Sequence, residues 1–266
     1  KDDDGNVKYE FNTGDENGNV NIESVEIKQR TSVIINSKVN LVVNESISAV
    51  GKSKVEINAS NLTVASGNNS AIQANNSAVT VNSAVNLSAN TNTIAVAGGK
   101  VELQGGIIYA EGGNAIYNAG GTVTINANAD QDVSVQGNII VSNDTTDNKK
   151  GQVNLNLTTE GSKWEGRLQA AKNSLFNLTL QKGAQWIETA PVEAVTFGLT
   201  REETSSDIYV KSLVGGEKST EAGNIFRNSK DNLVIADYRG WTNIYYEHEE
   251  KDATKMIGGD TNIKTA

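Results

Sequence analysis

Short apolar triplets recur along this chain at a nearly constant interval. Each has two apolar residues around a middle position, so in an extended strand the outer two side chains share one face. The first series begins at Val33, Val55, Val79, Val101 and Val123. A second begins at Val39, Leu62, Val85 and Ile107, and a third at Ile72, Ile94, Ile116 and Ile139. Successive members are about 22 residues apart, which predicts three strands in each repeat of that length.

Glycine and asparagine fill the segments between the triplets. Both tolerate the left-handed backbone conformations with which a chain turns a corner. The pairs Gly98-Gly99 and Gly120-Gly121 are themselves 22 residues apart, so the corners keep the period of the strands. A β-sandwich would also show alternation and turn residues, but it does not require a fixed period in three series. We therefore predict an all-β parallel solenoid in which each repeat is one turn.

The predicted solenoid divides the chain into three segments. Residues 1–19 are a polar lead-in, residues 20–188 form a stem of seven or eight turns, and residues 189–266 form a C-terminal capping β module. The period is lost after about residue 190. Beyond it we predict strands, the last two as a hairpin, at Ile208–Val210, Leu233–Ala236 and Asn243–Tyr246.

The composition limits the partners that such a chain can have. It includes 23 Lys and Arg against 32 Asp and Glu, a net charge of −9. Nucleic acids and anionic membranes reward clustered Lys and Arg, so the acidic balance disfavours both. Only 37% of the residues are hydrophobic and 5% aromatic, which fits a narrow core lined by the triplets. There is no cysteine, so no disulfide pattern indicates a compartment.

Residues for catalysis or metal binding are scarce. The one histidine, His248, lies between Glu247 and Glu249 in a strand-like run, and we interpret it as an exposed side chain rather than a general base. The sequence has no nucleophile elbow, no phosphate-binding loop and no zinc-ligand spacing. Four loop aspartates lack the tandem pattern of calcium-binding β-rolls: Asp130, Asp132, Asp144 and Asp147. The sequence thus predicts neither an enzyme nor a cofactor or metal site.

Glu56 and Glu102 carry the one enzymatic alternative. They take the outward middle positions of their triplets two turns apart, which is roughly 9 to 10 Å at a strand spacing of about 4.8 Å. That separation is close to the carboxyl spacing of inverting glycosidases. However, no arginine lies between Arg30 and Arg167, so this surface offers little to hold an acidic sugar. We interpret both carboxylates as solvated strand positions.

Two tryptophan-containing segments extend the period beyond residue 150. Gly161-Ser162-Lys163-Trp164 and Gly183-Ala184-Gln185-Trp186 place their glycines and their tryptophans 22 residues apart. The pattern Leu-x-x-Gly-Ala-x-Trp runs from Leu180 to Trp186. Following Asn-rich and Gly-rich coils in an acidic, cysteine-free chain, these segments resemble the passenger of a Gram-negative type V autotransporter of the pertactin-like, adhesin type.

The resemblance implies a right-handed parallel β-helix displayed outside the outer membrane of a bacterium. It also implies that the two tryptophan rungs assist folding as the chain emerges. The residues concerned are Gly161, Trp164, Leu178, Leu180, Gly183 and Trp186. The membrane barrel of such a protein would lie outside this segment, and the protease and lipase motifs of enzymatic passengers are absent from the sequence.

On this basis we expect a surface-exposed adhesin or stalk that attaches to host or other bacterial cells. Its partner would be a surface glycan or protein, with self-association left open. The expected contact regions are the outward rows of Thr, Asn and Ser and the polar run Ser142–Lys150, which is predicted to protrude from the stack as a loop. A carbohydrate-active β-helix enzyme, such as a lyase, hydrolase or tailspike fragment, and a purely structural spacer stay open as alternatives.

Overall fold

The computed structural model shows a parallel β-solenoid. It describes residues 2, 5–13, 18–144, 147–171, 174–180, 184–188, 208–213, 225–228, 242–246 and 261–265. Every regular element in these ranges is a β-strand, and no helix in them is long and apolar enough to cross a membrane. The strands stack in three parallel ladders, and about seven turns are complete in all three among the described residues. The predicted fold class is therefore confirmed.

The first ladder contains the most strands. In chain order they are β1 (Val7–Thr13), β4 (Thr31–Ser37), β7 (Lys54–Asn58), the first part of β10 (Ala78–Ala89), the first part of β12 (Lys100–Ala119), β13 (Thr122–Ile125), β15 (Gln152–Leu157), β18 (Leu175–Leu180), β20 (Ile208–Leu213), β22 (Thr242–Tyr246) and β23 (Thr261–Thr265).

The second and third ladders complete each turn. The second contains β2 (Asn19–Ile22), β5 (Asn40–Val43), β8 (Asn61–Ser66), later parts of β10 and β12, the first part of β14 (Val133–Ser142), β16 (Lys163–Glu165), β19 (Gln185–Glu188) and β21 (Ile225–Asn228). The third contains β3 (Val25–Lys28), β6 (Ile47–Val50), β9 (Ile72–Asn75), β11 (Ile94–Ala97), the ends of β12 and β14, and β17 (Leu168–Ala170).

The apolar triplets of the first series stand in register. Val55, Val79, Val101 and Val123 align from turn to turn, and all four are buried. The third series aligns in the same way from Ile72 onward. Each ladder therefore contributes inward columns of Val, Ile and Leu to one continuous core, because alternate residues of a strand point to the same face.

The second series is shifted in two turns relative to the sequence prediction. The inward pair of β5 is Leu41 and Val43 rather than Val39 and Leu41, because Leu41 aligns with Leu62. In β12, Gly106 and Ile108 align with Val85 and Leu87. A slip of one residue exchanges the two faces of a strand, so Ile107 and Tyr109 point outward and are 49% and 36% exposed.

The corners between the third and first ladders stack on one another, as their glycine period predicts. Gly98 and Gly120 have φ values of 63° and 69°, and Asn76 takes the equivalent position with φ 46°. The Asn76 amide donates to Ala97, and the Gly98 amide donates to Ala119. Backbone hydrogen bonds thus join successive corners as well as successive strands.

Both ends of the chain add strands to these ladders. In the predicted lead-in, β1 pairs with β4, and its Tyr9 and Phe11 align with Val33 and Ile35. In the segment predicted to be a cap, β20, β22 and β23 pair in parallel along the first ladder. Leu233–Ala236, the predicted hairpin partner of Asn243–Tyr246, lies outside the described residues, as do Gly183 and His248.

Candidate functional site

The outward face of the first ladder carries ordered columns of polar side chains. The middle column is polar except at Ile34 and runs through Glu10, Ile34, Glu56, Thr80, Glu102, Thr124, Asn154 and Asn177. The predicted order of Glu56, Thr80, Glu102 and Thr124 is therefore confirmed. A Lys-x-Glu sequence places a cation beside each glutamate on alternate turns, at Lys8-Tyr9-Glu10, Lys54-Val55-Glu56 and Lys100-Val101-Glu102.

Four asparagines form a continuous column at the ends of the same strands. This asparagine row consists of Asn12, Asn36, Asn58 and Asn82. Asn36 Nδ2 donates to Asn12 Oδ1 at 2.9 Å, Asn58 Nδ2 to Asn36 Oδ1 at 2.8 Å, and Asn82 Nδ2 to Asn58 Oδ1 at 2.8 Å. Each residue directly follows the second apolar residue of its strand, so the strand register fixes the amides one above another.

Glu10 and Glu56 take up the second N–H of these amides. Asn36 Nδ2 also donates to Glu10 Oε1 at 3.1 Å, and Asn58 and Asn82 each donate to Glu56 Oε1 at 3.3 Å. A side-chain amide has two N–H donors, and its oxygen has two lone pairs that can each accept a hydrogen bond. The donors of three amides are therefore used by the row and by these two glutamates, while oxygen lone pairs of the amides remain for a ligand. The row is a surface rich in acceptors.

A groove of about 700 Å³ follows the asparagine row along the corner to the second ladder. We call it the asparagine groove. Its other wall includes Thr13, Ser37, Lys38 and Ser60. Hydroxyl, amide and ammonium groups thus surround a shallow channel that runs along the solenoid axis, and such a lining can exchange hydrogen bonds with a hydroxylated chain.

The two glutamates of the enzymatic alternative are held by different neighbours. Glu56 accepts hydrogen bonds from the asparagine row, while Glu102 forms an ion pair with Lys100. Thr80 separates them in the column. Within the described ranges, neither carboxylate lines the asparagine groove. The arrangement places both on an open strand face.

The described part of the loop Ser142–Lys150, residues 142–144 and 147–150, contacts the stack at Asp144 and Lys149. The backbones of Asp144 and Lys149 bond to each other, and Lys149 Nζ reaches Asn76 Oδ1 at 2.9 Å. A Cβ on Gly120 would lie 2.4 Å from Asp144 Cβ, and one on Gly98 would lie 3.3 Å from Lys149 Nζ. Because Gly98 and Gly120 have no side chain, Asp144 and Lys149 can lie against these corners.

The four loop aspartates do not converge on one point. Asp147 forms an ion pair with Lys149, and Asp132 accepts a hydrogen bond from Thr159. Over the part of the chain that the structure describes, no three acidic or histidine side chains are grouped to hold a metal ion.

Trp164 and Trp186 lie on adjacent turns with their rings stacked. The ring centroids are 4.6 Å apart and the planes differ by 4°. Each indole N–H donates at 3.0 Å to a glycine carbonyl of the preceding turn, Trp164 to Gly137 and Trp186 to Gly166. A Cβ on Gly166 would lie 2.0 Å from the Gly137 oxygen, so this column requires glycine. The other predicted rung residues lie nearby in the same turns: Gly161 beside Asp132, Leu178 in the core, and Leu180 paired with Leu157.

Sequence reasoning missed the asparagine row although its signal was present. The four asparagines recur at intervals of 22 to 24 residues, each after an inward residue. The stacking of Gly166 on Gly137 left no such signal, because the loop after β14 changes their spacing to 29 residues.

Comparison of the chain with family models, with curated proteins and with solved structures gives no match in any of the three.

Proposed function

We propose that this chain is part of the surface-exposed passenger of a type V autotransporter and acts as an adhesin. Two features support the proposal: the parallel β-solenoid itself, and the tryptophan segments around Trp164 and Trp186 that resemble those passengers. In this setting the chain stands outside the outer membrane, anchored there or released from it, and its barrel lies outside this segment. The tryptophan rungs assist its folding there.

The asparagine groove is the proposed contact surface, and its acceptor-rich row is the observation that carries the proposal. Amide oxygens of the row can accept hydrogen bonds from the hydroxyl groups of a glycan. Because Glu10 and Glu56 stand directly beside the row, an anionic ligand would be repelled there. The ligand that fits this lining is therefore a neutral, hydroxyl-rich glycan on a host or bacterial surface.

The fold supports such binding by holding the row rigid. Strands of a sheet are about 4.8 Å apart, so four rungs present a regular row roughly 14 Å long. Each hydrogen bond to a ligand contributes only about 0.5–1.5 kcal/mol net. A row that is fixed before binding loses little conformational entropy, so several weak contacts can add up to useful affinity.

An array of glycans and matrix proteins tests the proposed function. The purified chain is applied to the array, and release of reducing sugar is assayed on every glycan that binds. Binding to neutral glycans without release is the expected result. Release of reducing sugar would overturn the adhesin and direct attention to Glu56 and Glu102, whereas absence of both binding and release would favour a structural spacer.

A further inference from the structure

A second groove lies at the opposite ends of the first-ladder strands. It follows the corner between the third and first ladders and has a volume of about 450 Å³. Four cationic side chains line it: Arg30, Lys52, Lys54 and Lys100. The amides of Asn6 and Asn76 line it as well. We call this the cationic groove.

The solenoid brings these cations together from distant parts of the sequence. Arg30 and Lys52 occupy successive corners, both with positive φ, at 56° and 65°. The Arg30 amide donates to Gly51 O at 3.0 Å, and the Lys52 amide donates to Asn76 O at 2.8 Å. These hydrogen bonds fix the cationic corners one turn apart, so the spacing of the charges is set by the backbone.

The charge of the groove is opposite to that of the whole chain. Among the residues that the structure describes, no carboxylate lines it, although the chain carries a net charge of −9. Lys100 forms an ion pair with Glu102 in the neighbouring column. Arg30 and Lys52 have exposed side chains, which a ligand can reach. Lys149, which bonds to Asn76 at the edge of the groove, is neutralised by its ion pair with Asp147.

We propose that the cationic groove binds an acidic linear polysaccharide that runs along the solenoid axis. The forked guanidinium of Arg30 matches the geometry of a carboxylate or sulfate group, and Lys52 stands roughly 5 Å further along the axis. From Arg30 to Gly98 the groove crosses four corners, or roughly 14 Å at the strand spacing. This length suits several consecutive sugar units of one chain.

The lining favours a polysaccharide over a nucleic acid. Single-stranded nucleic acids are held by aromatic side chains on which the bases stack, and none of the described lining residues is aromatic. The acidic remainder of the chain would repel a duplex or an anionic bilayer, whose charge extends far beyond the groove. A slender acidic chain can lie in the groove and avoid that repulsion.

This site goes beyond the proposed function and is independent of it. The asparagine groove and the cationic groove lie at opposite ends of the same strands. They also select opposite ligands, since carboxylates stand beside one and cations line the other. Loss of acidic-polysaccharide binding would therefore leave neutral-glycan binding in place, and the reverse also holds.

Dextran sulfate and unmodified dextran form a matched pair of probes, because they share one backbone and differ in charge. Binding of each to the immobilised chain is measured by biolayer interferometry at increasing sodium chloride concentration. We expect dextran sulfate to bind, dextran to bind far more weakly, and salt to weaken the dextran sulfate complex, because charged contacts release counterions.

A double variant, Arg30→Gln with Lys52→Gln, removes the two exposed corner charges. Glutamine is compatible with the corner backbone, since Gln29 already adopts φ 56°. The control, Lys163→Gln with Arg167→Gln, makes the same charge change at β16 and just after it, away from the groove. We expect about a tenfold loss of dextran sulfate affinity in the groove variant and less than about a twofold change in the control.

Three results would overturn the proposal. Equal losses in the two double variants would mean that net charge alone drives binding. If the unaltered chain did not bind dextran sulfate more tightly than dextran, the groove would not be a site for acidic polysaccharides. Oligo-dT bound as tightly as dextran sulfate would assign the groove to polyanions in general. Circular dichroism of each variant identifies a loss that comes from unfolding, and a milder variant, Lys52→Gln alone, then replaces the unfolded one.

Discussion

Replacing Trp164 by alanine should destabilise the stack more than any other single change in its turn. The Trp164 side chain is fully buried, stacks on Trp186, and lies with its centroid 5.5 Å from that of Phe176. Its N–H bonds to the Gly137 carbonyl. The substitution removes the largest side chain of the turn and one hydrogen bond, and it leaves a cavity between two aromatic neighbours.

The magnitude follows from these contacts. Truncating a buried tryptophan or phenylalanine to alanine costs about 3–5 kcal/mol, which includes the cavity. The Gly137 carbonyl loses its indole partner, which adds about 1 kcal/mol. We therefore expect a loss of about 5 kcal/mol. Trp164→Phe keeps an aromatic ring on Trp186 but loses the N–H, so it should cost about 2 kcal/mol.

Urea unfolding followed by far-ultraviolet circular dichroism measures both variants against the unaltered chain. Because each turn of a solenoid contacts only its neighbours, the loss should appear as an earlier transition of the turns around β16. The phenylalanine variant should lie between the alanine variant and the unaltered chain. A cost below about 1 kcal/mol for Trp164→Ala would refute the reasoning that this stack stabilises the C-terminal turns.

Three further substitutions test the packing, the corners and the register. Gly166→Ala should lower the free energy of unfolding by at least about 2 kcal/mol, measured by thermal unfolding, because its Cβ would meet the Gly137 carbonyl. The control is Gly67→Ala, whose Cβ would meet nothing within 4 Å. It should change the free energy of unfolding by less than about 0.5 kcal/mol. Asn118→Ala should cost about 3 kcal/mol in urea, because this fully buried amide bonds to Gly121 N, Gly121 O and Gln152 O; a cost below about 1 kcal/mol would contradict that role. In this cysteine-free chain, Thr80→Cys with Glu102→Cys should cross-link under mild oxidation, since adjacent strands are about 4.8 Å apart and disulfides need about 4.4–6.8 Å between Cα atoms. Thr80→Cys with Thr124→Cys, two turns apart, should stay reduced in mass spectrometry, and the opposite result would contradict the register.

The sequence was sufficient to predict the ladders because the physical constraint is local. A strand that lines a narrow core must alternate, and a corner must contain residues that tolerate left-handed backbone, so both leave a periodic signal. The same reasoning was wrong by two residues at Val39, where the inward pair begins at Leu41, and by one residue at Ile107, where Ile108 takes the inward position. Burial of Val43 and of Ile108 decides the position in each case, and that depends on the neighbouring turns.

Contacts between distant residues were beyond prediction from the sequence. The loop Ser142–Lys150 is polar and looks solvated, but Lys149 contacts Asn76, which lies 73 residues earlier. The cationic groove combines Arg30, Lys52 and Lys100 from three different turns, and the net charge of −9 conceals it. Only the stacking of corners brings these side chains to one place.

Binding of a neutral glycan by two double variants tests the central claim most directly. Asn36→Ala with Asn58→Ala removes the middle of the asparagine row, while Asn86→Ala with Asn90→Ala removes two exposed asparagines at the second ladder. The probe is the neutral glycan that binds most strongly on the array, measured with both variants confirmed as folded by circular dichroism. We predict a loss of affinity of about tenfold for the row variant, from several lost hydrogen bonds of about 1 kcal/mol each, and less than about twofold for the control. Equal affinity in the two variants would contradict the assignment of the asparagine groove as the adhesive surface.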